Sequence, residues 1–138
     1  MPDTGNTASL AFGTTTGFTP SLVSIECPEE VREALEDTDL AVVGAKTSVP
    51  DDLYEPGESP CVMYWDQSAG TFPPIDADPE TITVTFPLKA GEITAATLAG
   101  TGFLTRRKGP IVQNGELMRG EFTIKWDGKT GPTYTAGS

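Results

Sequence analysis

The run 93-ITAATLAGTGFLTRRKGPIVQNGELMRGEFTIKWDGK-129 decides how this chain folds. In its second half Met118, Phe122, Ile124 and Trp126 alternate with Arg119, Glu121, Thr123 and Lys125, the period of two that marks a half-buried strand. Gly120 is the one gap on the apolar side. Its first half, ITAATLAGTGFLTRR, reads as another long strand, KGPIVQNG joins the two, and the turn DGKTGP closes the unit. A strand with one apolar face needs a covering layer, so the core is expected to form here.

Upstream, ETITVTFPL places Ile82, Val84, Phe86 and Leu88 against Thr81, Thr83 and Thr85, with Pro87 ending the ladder or marking an edge. VMYWDQ reads as a short strand. FTPSLVSIEC reads as another, with Val23, Ile25 and Cys27 on one side. Residues 1–16 are small and polar and are expected to form a flexible arm, leaving residues 17–138 as a single domain. Residues 41–61 are rich in Pro, Gly and Asp and read as a long loop, whose embedded Val49, Leu53 and Tyr54 imply that it docks onto something. Residues 28–40 have Val31, Ala34, Leu35 and Thr38 at helical spacing behind Pro28-Glu29-Glu30, so local rules favour a short helix there. The sum is an all-β sandwich or barrel of about six strands with at most one short helix.

At 138 residues the chain fits one domain. No run approaches the length of a membrane span, and MPDTGNTASL lacks the regions of a signal peptide, so a soluble protein working inside a cell, without a membrane partner, is expected. Cys27 and Cys61 are too few for a disulfide framework and read as reduced packing residues. The net charge of -11 is unevenly distributed: residues 1–80 carry 16 acids and 2 bases, residues 81–138 carry 4 acids and 7 bases. The whole surface therefore repels nucleic acid, while the two halves are able to steer copies of the chain together head to tail.

Chemistry is scarce. The absence of histidine removes the commonest general base and most zinc sites, and no nucleophile and base pair is legible, so no enzyme and no cofactor is expected. Gly128-Lys129-Thr130 lacks the upstream glycine of a phosphate loop and reads as a hairpin-end turn. Asp66, Asp76 and Asp78 read as a solvated turn, not a calcium loop. Gly100-Thr101-Gly102 reads as a bulge. Trp65 and Trp126 read as core before they read as a sugar-stacking platform. Long strands with few protective devices leave edges that other chains can pair with.

The succession GFTPSLVSIECPEEVREALEDTDL, GAKTSVPDDLYEPGE, ETITVTFPL, AGTGFLTRRKGP and ELMRGEFTIKWDGKTGPT resembles the tail tube, or major tail, proteins of long-tailed bacteriophages from about residue 17 to 135. The resemblance implies a β-sandwich subunit that closes with its copies into a ring-shaped β-barrel, hexameric rings that stack, and a lumen through which DNA passes without tight binding. It implies a homo-oligomer in the virion tail, assembled in the host cytoplasm, with tape-measure, tail tip and tail terminator proteins as partners. The loop at 45–58 would reach a neighbouring subunit or ring through Lys46, Asp51, Asp52, Leu53, Tyr54 and Glu55. A basic turn, Arg106, Arg107 and Lys108, would meet the acidic half. Glu29, Glu30, Glu33, Glu36, Asp37 and Asp39 would line the lumen. The same resemblance makes residues 32–40 extended, against the helical spacing. A monomeric all-β module that binds sugar or protein is the other functional class these residues permit.

Overall fold

Strand β7 (Thr97–Lys108) is shared by two neighbours, and the sheet is arranged around that sharing. The computed structural model describes residues 8–13, 20–36, 44–65, 75–76 and 78–138; among them there are strands and no helix. One edge of β7 pairs with β6 (Glu80–Thr85) over residues 97–102, and the other pairs with β8 (Arg119–Trp126) over residues 102–108. Gly102 is the crossover, opposite Glu80 on one side and Trp126 on the other. The short β9 (Thr133–Thr135) continues the edge held by β8, pairing with residues 97–99. Outward from this centre, β1 (Ser9–Phe12) pairs with β6, β5 (Glu58–Tyr64) with β8, and β2 (Leu22–Ile25) with β5. All pairings are antiparallel, and β1 and β2 are the two ends of the sheet order.

The alternation read in the sequence is the one that builds the core. Phe122, Ile124 and Trp126 of β8, Leu98 and Leu104 of β7, Ile82 and Val84 of β6, Cys61 and Met63 of β5 and Leu10 of β1 form one buried cluster. Met63 stands directly opposite Gly120, so its flexible thioether side chain adjoins the gap on the apolar side of β8. A flat sheet would hold β1 and β8 about 14 Å apart, three strand spacings. Yet Phe12 and Phe122 meet edge to face with ring centroids 6.4 Å apart, which requires the sheet to curl strongly around its apolar face. Inside the curl, the Trp126 indole N–H donates to Ser59 Oγ at 2.8 Å, so the polar atom of the largest core side chain is satisfied.

Gly100 and Gly102 are not a bulge. The irregularity of β7 lies at Thr105, where the register with β8 shifts between Leu104 and Arg106. The glycines are needed because backbone crowds them: a Cβ on Gly102 would lie 2.8 Å from the Lys125 carbonyl oxygen, and one on Gly100 would lie 2.8 Å from Pro132 Cα. The DGKTGP turn presses onto β7 here. Thr101 N donates to Thr130 O at 2.8 Å, Asp127 N donates to Thr101 O at 3.0 Å, and the Thr101 hydroxyl donates to the Asp127 carboxylate.

Five expectations are corrected. The stretch read as a flexible arm contains β1, and Leu10 is 1% exposed in the core. The helix favoured by spacing over 28–40 is replaced by strand β3 (Val31–Glu36), extended as the family resemblance implies; residues 37–40, with Asp37 and Asp39, lie outside the described residues. The long loop at 45–58 is largely strand β4 (Ser48–Glu55), which pairs with β3. In β2 a bulge between Leu22 and Ser24 turns Leu22 and Ile25 onto the core and leaves Val23 and Cys27 exposed, where simple alternation placed Val23, Ile25 and Cys27 together. Leu88 is exposed past Pro87, because the ladder ends at Thr85.

Two substitutions test this packing in urea unfolding. Leu10→Ala is expected to cost about 2–5 kcal/mol; an unchanged midpoint would mean that residues 9–12 are a loose arm after all. Gly102→Ala is expected to lower the midpoint, whereas Gly109→Ala, with no atom within 4 Å of the new methyl, should stay within about 0.5 kcal/mol of the parent.

Candidate assembly surfaces

The β3–β4 hairpin stands apart from the curled sheet. The two strands form their own two-stranded sheet, packing on each other and making no extensive contact with other strands. An isolated two-stranded ribbon is marginally stable in water, so this one calls for a second surface. Directly opposed residues share a face, and Val31 faces Glu55 while Leu35 faces Val49. One face therefore carries Val31, Glu33, Leu35, Val49 and Glu55. On the other, Arg32 stands opposite Tyr54 and Ala34 opposite Pro50.

Between these pairs β4 holds two extra residues, and the bulge is stitched locally. The Asp51 carboxylate accepts the Leu53 N–H at 3.2 Å, and Arg32 Nε donates to the Asp51 carbonyl. All the apolar side chains named here are exposed, Leu53 the most at 77%.

The residues proposed for contact thus fall on one element. Asp51, Asp52, Leu53, Tyr54 and Glu55 lie on β4, and Lys46 is exposed just before it. Glu33 and Glu36, proposed for a lumen, lie on the paired strand β3, and Glu29 and Glu30 are exposed in the segment leading to it. The contact residues and these acids are therefore neighbours. Arg106, Arg107 and Lys108 are not a turn: they end β7 as exposed strand residues. Arg106 Nη2 and Lys108 Nζ approach Glu121 Oε2 at 3.5 and 3.8 Å, exposed pairs that contribute little.

Two further features lay beyond the sequence reading. Among the described residues no strand pairs with the β6-side edge of residues 103–108, nor with the outer edges of β1 and β2. The connection from β7 to β8 also folds over the end of the sheet and encloses an open groove of about 730 Å³, lined by Val62, Lys108, Ile111, Leu117, Arg119 and Glu121 among others. Ile111, Val112 and Leu117 are largely exposed. The apolar residues inside GPIVQNGEL were the available signal, but a loop gives no periodicity by which to assign them a face. The sugar platform is excluded by packing, since Trp126 is fully buried and Trp65 packs against the core.

No protein-family model and no curated protein matches the sequence. Solved structures do match. A chain of the extracellular contractile injection system PVC, in the structure of its sheath/tube terminator in the extended state, aligns over 99% of this chain and 98% of its own with a TM-score of 0.69 and 12% identity. A chain of the anti-feeding prophage tube-terminating cap aligns over 99% and 92% with a TM-score of 0.72 and 12% identity. Hcp1 from Flavobacterium johnsoniae aligns over 94% and 98% with a TM-score of 0.51 and 14% identity. At these identities the fold is what is shared, and it is shared end to end. It is the all-β fold that the tail tube resemblance implies.

Both thiols are free. Burial, with a contribution from Cys27, pushes the Cys61 thiol up to about 12, whereas Cys27 is exposed. A thiol reagent at pH 8 should modify one cysteine rapidly in the native protein and the second only after denaturation; two fast equivalents would contradict the buried position of Cys61. The Thr101 hydroxyl holds the Asp127 carboxyl below its ordinary range. Because the folded value is depressed, the bond supports the turn above the ordinary carboxylate range and is lost as pH falls through the folded value. Thr101→Ala should therefore raise the Asp127 titration midpoint in carbon-detected NMR, and an unmoved midpoint would exclude the bond.

Proposed function

We propose that this chain is a structural subunit of a tail-type tube and that its work is mechanical, not catalytic. The observation that carries the proposal is a curled sheet with three edges that no strand among the described residues pairs, and a hairpin that no strand among them covers extensively, in a fold shared end to end with chains of tube terminators and caps. Burying the hairpin face and pairing the open edges between identical copies would remove both liabilities at once.

In this reading copies close edge to edge into rings of six, their strands continue around the centre as a barrel, and the rings stack into a tube. The hairpin, through Lys46, Asp51, Asp52, Leu53, Tyr54 and Glu55, reaches a neighbouring subunit, and Arg106, Arg107 and Lys108 meet acidic residues across the contact. The acids Glu29, Glu30, Glu33, Glu36, Asp37 and Asp39 supply the negative surface of the channel. Such a lining repels phosphates over roughly a Debye length, ~8 Å at physiological salt, so DNA passes without the counterion release that accompanies tight binding. The tube belongs to a virion tail built in the host cytoplasm, with tape-measure, tail tip and terminator proteins as partners.

Electron microscopy of the purified protein tests the reading: rings and tubes are expected as concentration rises. A particle that stays monomeric in light scattering at every concentration overturns it in favour of a monomeric binding module. The double substitution Asp51→Lys with Asp52→Lys is expected to abolish or shorten tubes without unfolding the sheet, as followed by circular dichroism. Tubes of normal length from that variant would remove the hairpin from the contact.

A further inference from the structure

The hairpin and the groove lie at opposite ends of the same two strands. The hairpin joins the sheet at the Glu58 end of β5, where Trp126 N donates to Gly57 O at 3.3 Å. The groove lies at the far end, beside Val62, Arg119 and Glu121. Six residue steps separate Glu58 from Tyr64, roughly 20 Å of strand. The hairpin makes no extensive contact with its own sheet, so it does not fill its own groove.

The two surfaces match in chemistry. The hairpin face presents Val31, Leu35 and Val49 with Glu33 and Glu55 among them. The groove presents Val62, Ile111 and Leu117 with Lys108 and Arg119, and Arg106 and Arg107 extend the basic rim along β7. Counted with this rim, four bases stand against the two acids of the groove, Glu116 and Glu121, and Glu121 is already engaged by Arg106 and Lys108. Counting Glu33 and Glu55, the described residues from 29 to 58 carry eight acids against Arg32 and Lys46, so the arm as a whole is drawn to a basic rim.

We infer that the groove formed by the β7–β8 connection is the seat for the β3–β4 hairpin of a second copy of this chain, apolar residue against apolar residue, with Glu33 and Glu55 facing Lys108 and Arg119. This rests on the tube reading and assigns its contact to named surfaces. It moves Glu33 from the channel lining into the joint, while Glu36 lies on the opposite face of the hairpin. Because donor and acceptor surfaces differ, the contact is heterologous, and it propagates from copy to copy unless a rotation closes it.

Photo-crosslinking tests the seat directly. Leu35 is 44% exposed, so the benzophenone amino acid p-benzoylphenylalanine is tolerated there without repacking a core. After assembly and irradiation, intermolecular crosslinks are expected to map to residues 109–119, which trypsin releases as the single peptide GPIVQNGELMR. Arg119→Glu should raise the concentration at which tubes appear about tenfold, and adding Glu33→Arg should bring it back towards the parent value. Tubes whose crosslinks map elsewhere overturn this seat and leave the tube reading standing. A protein that forms neither rings nor tubes at any concentration overturns both.

Discussion

The structure depends on β7 being gripped along both edges at different heights. Its first half is held by β6 and β9 and its second by β8, and Gly102 touches both regimes. Antiparallel pairing reaches only as far as the partner strand, so a strand of twelve residues with a six-residue partner on one side has no strand along half of that side among the described residues. The core follows from the same pairing. With β8 seated on β7, Phe122, Ile124 and Trp126 are brought over Leu98 and Leu104, and curvature carries β1 round until Phe12 meets Phe122. The close backbone approach that demands Gly100 and Gly102 lets the terminal turn bind Thr101, tying residues 127–132 to the middle of the sheet.

The legible part of the sequence was the part in which packing and period agree. β6, β7 and β8 alternate because one face of each is buried; the alternation of β6 and β8 was legible, and all three strands lie within or nearly within the runs read as strands. β3 was not legible from local rules. Val31, Ala34 and Leu35 satisfy a helical spacing, but a six-residue strand paired with β4 needs no periodic burial when it has no core to face, and all six of its residues are exposed. Pairing across 19 residues overrode local preference, a tertiary effect that no window of sequence contains. β1 was missed for a related reason. SLAF is four residues within a polar segment, and Leu10 gains its place only through the curvature of strands far away in the chain.

The surfaces fared differently from the core. The apolar insertions of 45–58 led to the expectation of a docking loop, and most of the segment is strand β4. The basic residues were identified as a group, but pairing with β8 makes them a strand end with Glu121 beside them. The groove was not visible, because its lining comes from β5, the end of β7, the connection and the start of β8, four segments that only the fold brings together.

One consequence follows from placing a projecting acidic arm and a receiving basic hollow at opposite ends of the same strands. If the arm of one copy seats in the hollow of the next, the resulting polymer is directional: one terminus displays unsatisfied arms, the other vacant hollows. Growth by this joint is vectorial, and the two extremities are chemically unlike. Whatever seals one of them must imitate an arm, and whatever seals the other must imitate a hollow, so a single symmetric plug cannot finish both.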